Sequence, residues 1–170
     1  LQADIPVDSF VIGSHGLDLN GMLHSYQIDS ISNPEIEDAF VKHTNWSAKK
    51  SYPIIIDNSK ELENKIKSNK TFQGITATAG GFYGPQGRIL RLAIQDNDLN
   101  HKIDSFNFNG NRITNLEMET SAIYGLSALL GHKACSINAI IANRANGTFS
   151  QNPGKVVAEL IEYTLEKLIE

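Results

Sequence analysis

The sequence predicts a single α/β domain, on two grounds, and the order of its elements sets polar clusters where such a sheet binds ligands. Apolar residues alternate along the chain between the period of strands and that of helices, and no internal repeat or low-complexity linker divides it. At 170 residues, 41% hydrophobic and 20% charged, the composition is that of an ordinary globular protein. A chain of this length removes about 70% of its unfolded surface from water.

The elements follow in order. A strand is expected near residues 5–12, ended by Gly13 and a Gly-, Asp- and Asn-rich loop. Asn33 as N-cap and Pro34 at the first helical position open a helix with Ile36, Ala39 and Phe40 at helical spacing. Ile54-Ile55-Ile56 reads either as a short strand or as the lead into the next helix, which Asn58 caps, with Glu61 three residues on in a capping-box-like pattern. Gly74–Ala79 is a buried strand that runs into the loop Gly80-Gly81-Phe82-Tyr83-Gly84-Pro85-Gln86-Gly87-Arg88. Another strand is expected over Arg112–Met118. A helix over Glu119–Leu130 then places Ala122, Ile123, Leu126, Leu129 and Leu130 on one face, expected to be the core stripe, before Gly131 stops it. The nearly continuous apolar run Lys133–Asn143 predicts a strand in the middle of a sheet covered on both sides. Asn152-Pro153 opens a last amphipathic helix through Val156, Val157, Leu160, Ile161, Leu165 and Leu168.

Composition narrows the function. The formal net charge is -4, and the fifteen Lys and Arg are scattered, without the basic and aromatic stripe that tracks a phosphate backbone, so no nucleic-acid partner is expected. No stretch approaches the roughly 20 apolar residues of a membrane helix, and no signal segment opens the chain; no membrane partner and a cytoplasmic location are the expectations. The sequons at Asn45, Asn69 and Asn146 are then chance occurrences. The single cysteine, Cys135, lies in an apolar run and reads as a buried structural thiol. The five histidines have no metal-like spacing, and no metal is assigned; His132, after Gly131, reads as a favourable charge at a helix end. The chain starts at Leu1 and enters a strand-like segment almost at once, which looks like a cut rather than a natural start.

Three polar clusters, Phe82–Arg88, Glu117-Met118-Glu119 and Asn143-Arg144, fall where strands end, the place where open α/β sheets bind ligands. Each also has a bland reading. The glycines and proline of residues 80–87 make a tight turn and, without a terminal Gly-Lys-Ser/Thr, no P-loop; Glu119 suits any helix start; Asn143-Arg144 can simply end a strand.

The wording of the clusters, in order, carries more. Gly74-Ile-Thr-Ala-Thr-Ala-Gly-Gly-Phe-Tyr-Gly-Pro-Gln-Gly-Arg88 resembles the base-binding loop of uridine phosphorylases. Leu116-Glu117-Met118-Glu119-Thr120-Ser121-Ala122 resembles the ribose-binding segment of the nucleoside phosphorylase and nucleosidase superfamily. Ile140-Ile141-Ala142-Asn143-Arg144 resembles the strand end that in purine-specific relatives and nucleosidases carries a catalytic aspartate, and here there is none. The resemblance covers Leu1 to Glu170 as the later part of a family member. It implies a three-layer α/β/α fold with a central mixed, twisted sheet, a single partial domain over residues 1–170 with the N-terminal portion missing, and phosphate-binding residues in that missing portion.

Under this resemblance the base is met by Phe82, Gln86, Arg88, Ile141 and Arg144 and the ribose by Glu117, Met118 and Glu119, with Arg88, Arg144 and Glu119 carrying catalysis. Gln86 offers one donor and one acceptor to a uracil carbonyl and its adjacent N–H. Arg88 supplies donors of permanent charge, Phe82 stacks on the ring, and Arg144 reaches the far carbonyl. Implied too are a small-molecule nucleoside and inorganic phosphate as co-substrates, no cofactor, and a homo-oligomer, a dimer-based hexamer in the family. The expected reaction is phosphorolysis of uridine to uracil and ribose 1-phosphate in nucleoside catabolism and salvage. A purine nucleoside phosphorylase or nucleosidase of the same fold, and a nucleoside-binding fragment without turnover, are the alternatives.

Overall fold

In the computed structural model, which describes residues 1–169, three strands run parallel: β1 (Phe10–Asp18), β3 (Thr71–Thr78) and β5 (Asn111–Glu117). Three more join antiparallel. β2 (Ile54–Asp57) and β6 (Ile137–Ala139) share the free side of β1, pairing with its second and first halves, and β4 (Asn107–Phe108) pairs with β5 on the far side. The sheet is therefore mixed, in the order β2-β1-β3-β5-β4, with β6 beside β1. A separate hairpin joins β7 (Ala142–Asn143) to β8 (Thr148–Phe149).

Helices cover both faces. On one, α1 (Pro34–Thr44) and α3 (Leu99–Asp104) set Ile36, Phe40, Leu99 and Ile103 against Leu17, Ile55, Ile75 and Ile113. On the other, α4 (Thr120–Leu129) packs Tyr124 against Leu23, Ile54 and Ile56. Ile55 serves one layer and its two neighbours the other, the two-residue period of a strand buried on both faces. That resolves the isoleucine triplet as a strand. The short helix α2 (Lys60–Ile66) and α5 (Pro153–Ile169) pack together, and Tyr163 Oη donates to Ile66 O at 2.5 Å.

Several elements depart from expectation, each for a visible reason. The first strand is Phe10–Asp18 rather than residues 5–12 and continues past Gly13, where its register with β3 shifts. Its second half reads as loop because Ser14, His15 and Asp18 are polar, yet each is buried with a partner: Ser14 Oγ meets His15 Nδ1 at 2.9 Å, His15 Nε2 lies 3.2 Å from Asp57, and Asp18 accepts from Asn20, Gly21 and Leu23 N–H. The cap of α2 is Ser59, whose hydroxyl accepts from Leu62 N, while Asn58 instead donates to Gly13 O at 3.0 Å and to Glu63 at 2.6 Å. Residues 133–143 do not form one central strand. β6 is a short edge strand, and beyond it Ile140 bonds to Ser9 O and accepts from Asp8 N, which draws the chain off the sheet.

The largest reversal concerns α4. Its buried residues are Thr120, Ser121, Tyr124 and Gly125, whereas Ile123 is 49% exposed and Leu130 70%. Of the apolar stripe expected in the core, Ile123 and Leu130 face outward, Ala122 and Leu126 are half-buried, and Leu129 packs against the cluster of Leu23, Ile54, Ile56 and Tyr124. Glycines in β1 make this possible: a Cβ at Gly16 would lie 3.0 Å from Ser121 Cα, and one at Gly13 3.0 Å from Tyr124 Oη, so the helix can sit closer than side chains would permit. Tyr124 fills the gap with a satisfied hydroxyl, donating to Gly13 O at 2.7 Å and accepting from Ser136 N at 2.7 Å. Burial pushes its phenol well above the ordinary range. The last helix behaves similarly: Val156 and Leu160 are buried, but Val157, Ile161, Leu165 and Leu168 are exposed.

Candidate active site

β3 and β5 end side by side, and their last residues are paired through side chains as well as backbone. Thr76 stands opposite Asn115 and Thr78 opposite Glu117 in the strand register. Thr76 Oγ1 donates to Asn115 at 3.0 Å and Thr78 Oγ1 to Glu117 Oε1 at 2.6 Å.

Glu117 does most to organise the segment that follows. Its Oε2 accepts from Glu119 N at 2.9 Å, Thr120 N at 2.7 Å and Thr120 Oγ1 at 2.9 Å, so a carboxylate occupies the N-terminus of α4, where the unpaired N–H groups and the helix dipole favour it. Both oxygens are engaged. The Glu119 carboxylate, by contrast, makes one contact, a 3.2 Å bond from Met118 N, and is otherwise open to solvent. Glu117 shapes the turn, while Glu119 keeps acceptor capacity for a ligand.

After β3 the chain enters the glycine-rich loop, whose start is tied down by Gly80 N donating to Asn20 Oδ1 at 2.7 Å. A single 3-10 turn, Gly84–Gln86, closes at Gly87 with φ 70, a left-handed conformation that suits glycine. Tyr83 O accepts from both Gln86 N and Arg88 N, and Asn100 of α3 holds Gly87 O at 3.1 Å. The turn buries Gln86 to 3% exposure.

Two arginines converge on that glutamine. Arg88 Nη1 donates to Gln86 Oε1 at 2.5 Å and to Phe82 O, and its guanidinium lies 3.7 Å from the Phe82 ring centroid. Arg144 donates to the same Oε1 at 3.0 Å and to Gln86 O at 2.9 Å. Burial lowers the pKa of both arginines, and the proximity of Arg88 lowers that of Arg144 further. Guanidinium stays charged under such shifts, so two cations stand together with only a neutral amide oxygen between them. Such an arrangement favours a ligand that carries or develops negative charge.

All eight residues nominated from the sequence, Phe82, Gln86, Arg88, Glu117, Met118, Glu119, Ile141 and Arg144, line one cavity of about 690 Å³. In two details the arrangement differs from expectation. Gln86 Oε1 is occupied by the arginines and Nε2 makes a long 3.5 Å contact to Glu117 O, so the amide is not free; and Arg144 reaches Gln86 directly. Asn143 does not line the cavity: it is buried, its Nδ2 donates to Gln2 O and Ile5 O, and its Oδ1 accepts from Ala145 N. Sequence reasoning missed Asn100, Asn115 and Asn138. Nothing in their local wording distinguishes them, and only the sheet and α3 bring them to the cavity.

A larger cavity of about 930 Å³ lies beyond Arg88, between Trp46, Lys49 and Lys50 and the apolar side chains of Leu90, Leu92 and Ile94. Its one carboxylate, Asp96, is paired with Lys102 at 2.9 Å. Cys135 lies outside both cavities, half-buried, with burial pushing its thiol up to about 11, as suits a structural thiol. Among the described residues no group of three or more His, Cys, Asp or Glu is placed to hold a metal ion, and no helix is long and apolar enough to cross a membrane.

A family model described as the phosphorylase superfamily matches residues 1–170. No curated protein matches the chain. Among solved structures, a Trypanosoma brucei nucleoside phosphorylase described as showing uridine phosphorylase activity superposes with a TM-score of 0.84 at 20% identity, over 99% of this chain and 60% of that one. One from a study of two uridine phosphorylases of the oomycete Phytophthora capsici gives 0.58 at 17% identity, over 99% of this chain and 61% of that one. At such identities the likeness establishes the fold, and the chain spans about 60% of the length of those structures.

Proposed function

The chain belongs to the phosphorylase superfamily, and from that premise we propose that its cavity is the base and ribose site of a uridine phosphorylase, which converts uridine and phosphate to uracil and ribose 1-phosphate. The observation that carries this reading is the pair of guanidiniums closing on Gln86. In the reaction a phosphate oxygen attacks C1′, the C1′–N1 bond breaks, and its electron pair passes to the uracil ring, spread over both carbonyl oxygens. Arg88 and Arg144 stand where that charge can be met without proton transfer. As the base enters, one guanidinium exchanges Gln86 Oε1 for a uracil carbonyl, and the released amide takes the adjacent N–H and carbonyl.

The sugar is met by the other wall. Glu119 accepts from the ribose hydroxyls and its charge favours the developing oxocarbenium ion, Met118 packs on the ring, and Glu117 holds both in place through the start of α4. Phe82 and Ile141 enclose the base. A purine leaving group would need a proton at its imidazole nitrogen; the segment 140–144 contains no carboxylate, and Asn143 is turned into the structure. This favours a pyrimidine. The uridine phosphorylase activity described for the similar trypanosomal structure agrees with that choice.

Since both cavity arginines are directed at the base, phosphate is held by groups other than these, and no cofactor or metal enters the scheme. The exposed Ile123 and Leu130 at α4 and the outward apolar residues of α5 support a homo-oligomer. The test is product release from uridine and from inosine, each with and without phosphate. Uracil release that requires phosphate is the expected result; hypoxanthine released in preference, or base release without phosphate, would replace the reading by a purine phosphorylase or a nucleosidase of the same fold.

A further inference from the structure

Below Glu117, on the same face of β5, stands Asn115, 6% exposed and lining the cavity. The two residues are one strand repeat, about 7 Å, apart along β5, and Asn115 and Glu119 line the same cavity. Asn115 Oδ1 is held by two hydroxyls, Thr76 at 3.0 Å and Thr114 at 3.1 Å, which fixes the plane of the amide. Its Nδ2 donates to no group among the described residues. Across the sheet, Asn138 of β6 lines the same cavity, and its Nδ2 is buried without a partner.

An amide fixed in plane on one side with its donor open to the cavity, and a second donor on Asn138 that is buried and unpaired among the described residues, place hydrogen-bonding capacity where a ligand would sit. The neighbouring acceptor shows which ligand group fits. Glu119 can only accept, so a sugar hydroxyl must donate its proton there, and the hydroxyl oxygen then still has lone pairs to satisfy. An N–H donor in the same cavity as the carboxylate can complete the pairing, whereas a bare base has no hydroxyl to offer.

We propose that Asn115 is a ribose-recognising residue, donating from Nδ2 to a sugar oxygen held by Glu119, with Thr76 and Thr114 as the positioning residues that aim it. The inference rests on the reading that the cavity takes a pyrimidine nucleoside, and it separates sugar recognition from base recognition. The experiment is calorimetric titration of uridine and of uracil into the unaltered chain and into Asn115→Asp, which keeps the acceptor for both threonines and removes the donor. Uridine should bind about tenfold more weakly to the variant, the scale of one lost hydrogen bond whose ligand acceptor is left unpaired, while uracil changes less than twofold. If Asn115→Asp does not melt cooperatively, Asn115→Ser, neutral and smaller, is read in the same way.

An equal loss for both ligands, or unchanged uridine affinity, would overturn the inference and assign Asn115 a purely structural role. Unaltered protein that binds uracil but gains nothing from the ribose of uridine would overturn it too, leaving the base site standing. Binding of neither ligand by a folded sample would instead remove the pyrimidine reading itself, and the inference with it.

Discussion

Replacing Glu117 by glutamine tests whether that carboxylate holds the sugar-facing turn. In the structure Oε2 accepts two backbone N–H groups and one hydroxyl at the start of α4, and Oε1 accepts from Thr78. Thr78 Oγ1 in turn accepts from Ser121 N at 2.9 Å. Glutamine can keep an oxygen towards the helix, but its NH₂ then faces the Thr78 hydroxyl, whose proton loses its acceptor. The bonds to Glu119 N and Thr120 N become neutral, and each charge-assisted bond exceeds a neutral one by about 1 kcal/mol. The favourable contact with the helix dipole, about 0.3–1 kcal/mol, is lost as well. Allowing for partial solvent exposure of the side chain, the net loss is about 1–2 kcal/mol. For a domain of this size that lowers Tm by about 2–8 °C. Scanning calorimetry of both proteins measures this, and titration of the same samples should show uridine affinity falling more than uracil affinity because Glu119 is no longer held. A change in Tm below 1 °C would refute the reasoning, since it would mean that water serves the helix terminus as well as the carboxylate does.

Three further outcomes are expected. Gly16→Ala places a methyl carbon 3.0 Å from Ser121 Cα, a backbone contact that cannot rotate away; a loss of about 1–3 kcal/mol is expected, read by urea denaturation, and an unchanged midpoint would mean that α4 shifts freely. The Cys135 thiol, pushed up from 9.0 to about 11, should carry about 100-fold less thiolate at pH 8 than an ordinary cysteine. Alkylation by iodoacetamide should be slower by at least that factor and should recover on denaturation; rapid labelling of folded protein would contradict the burial. On the proposed reading, Arg88→Ala in an intact enzyme should lower kcat/KM for uridine by about 10²- to 10³-fold, the scale of one preorganised donor lost, and a change under threefold would remove Arg88 from the site.

What could be read in advance divides along physical lines. That these residues share one cavity was legible because loop chemistry is local: the glycine turn, the arginine two residues after Gln86 and the Glu-Met-Glu step at a helix start are each contiguous in sequence, and all line the candidate site. The burial of α4 was not legible. Periodicity shows that a helix has an apolar stripe but not which side meets the sheet, and here Gly13 and Gly16 admit the face of Ser121 and Tyr124, so that Ile123 of the stripe stays exposed while Leu129 still packs on a core cluster. β6 misled for a related reason: an apolar run does not say whether its strand lies inside or at an edge, and the bonds of Ile140 to Ser9 and Asp8, far away in sequence, decide it. Asn115 escaped notice because its significance lies in hydrogen bonds to Thr76, 39 positions earlier in the chain, and in the donor those bonds leave unpaired.

The central claim, that the guanidinium pair and Gln86 form a uracil site, is tested most directly by calorimetric titration of uracil into the folded chain and into Arg144→Ala. The account predicts saturable binding of one uracil per chain, weakened at least tenfold by the substitution as one charged hydrogen bond is removed. Heat of dilution alone from a sample that melts cooperatively, or equal affinity in the two proteins, would contradict it.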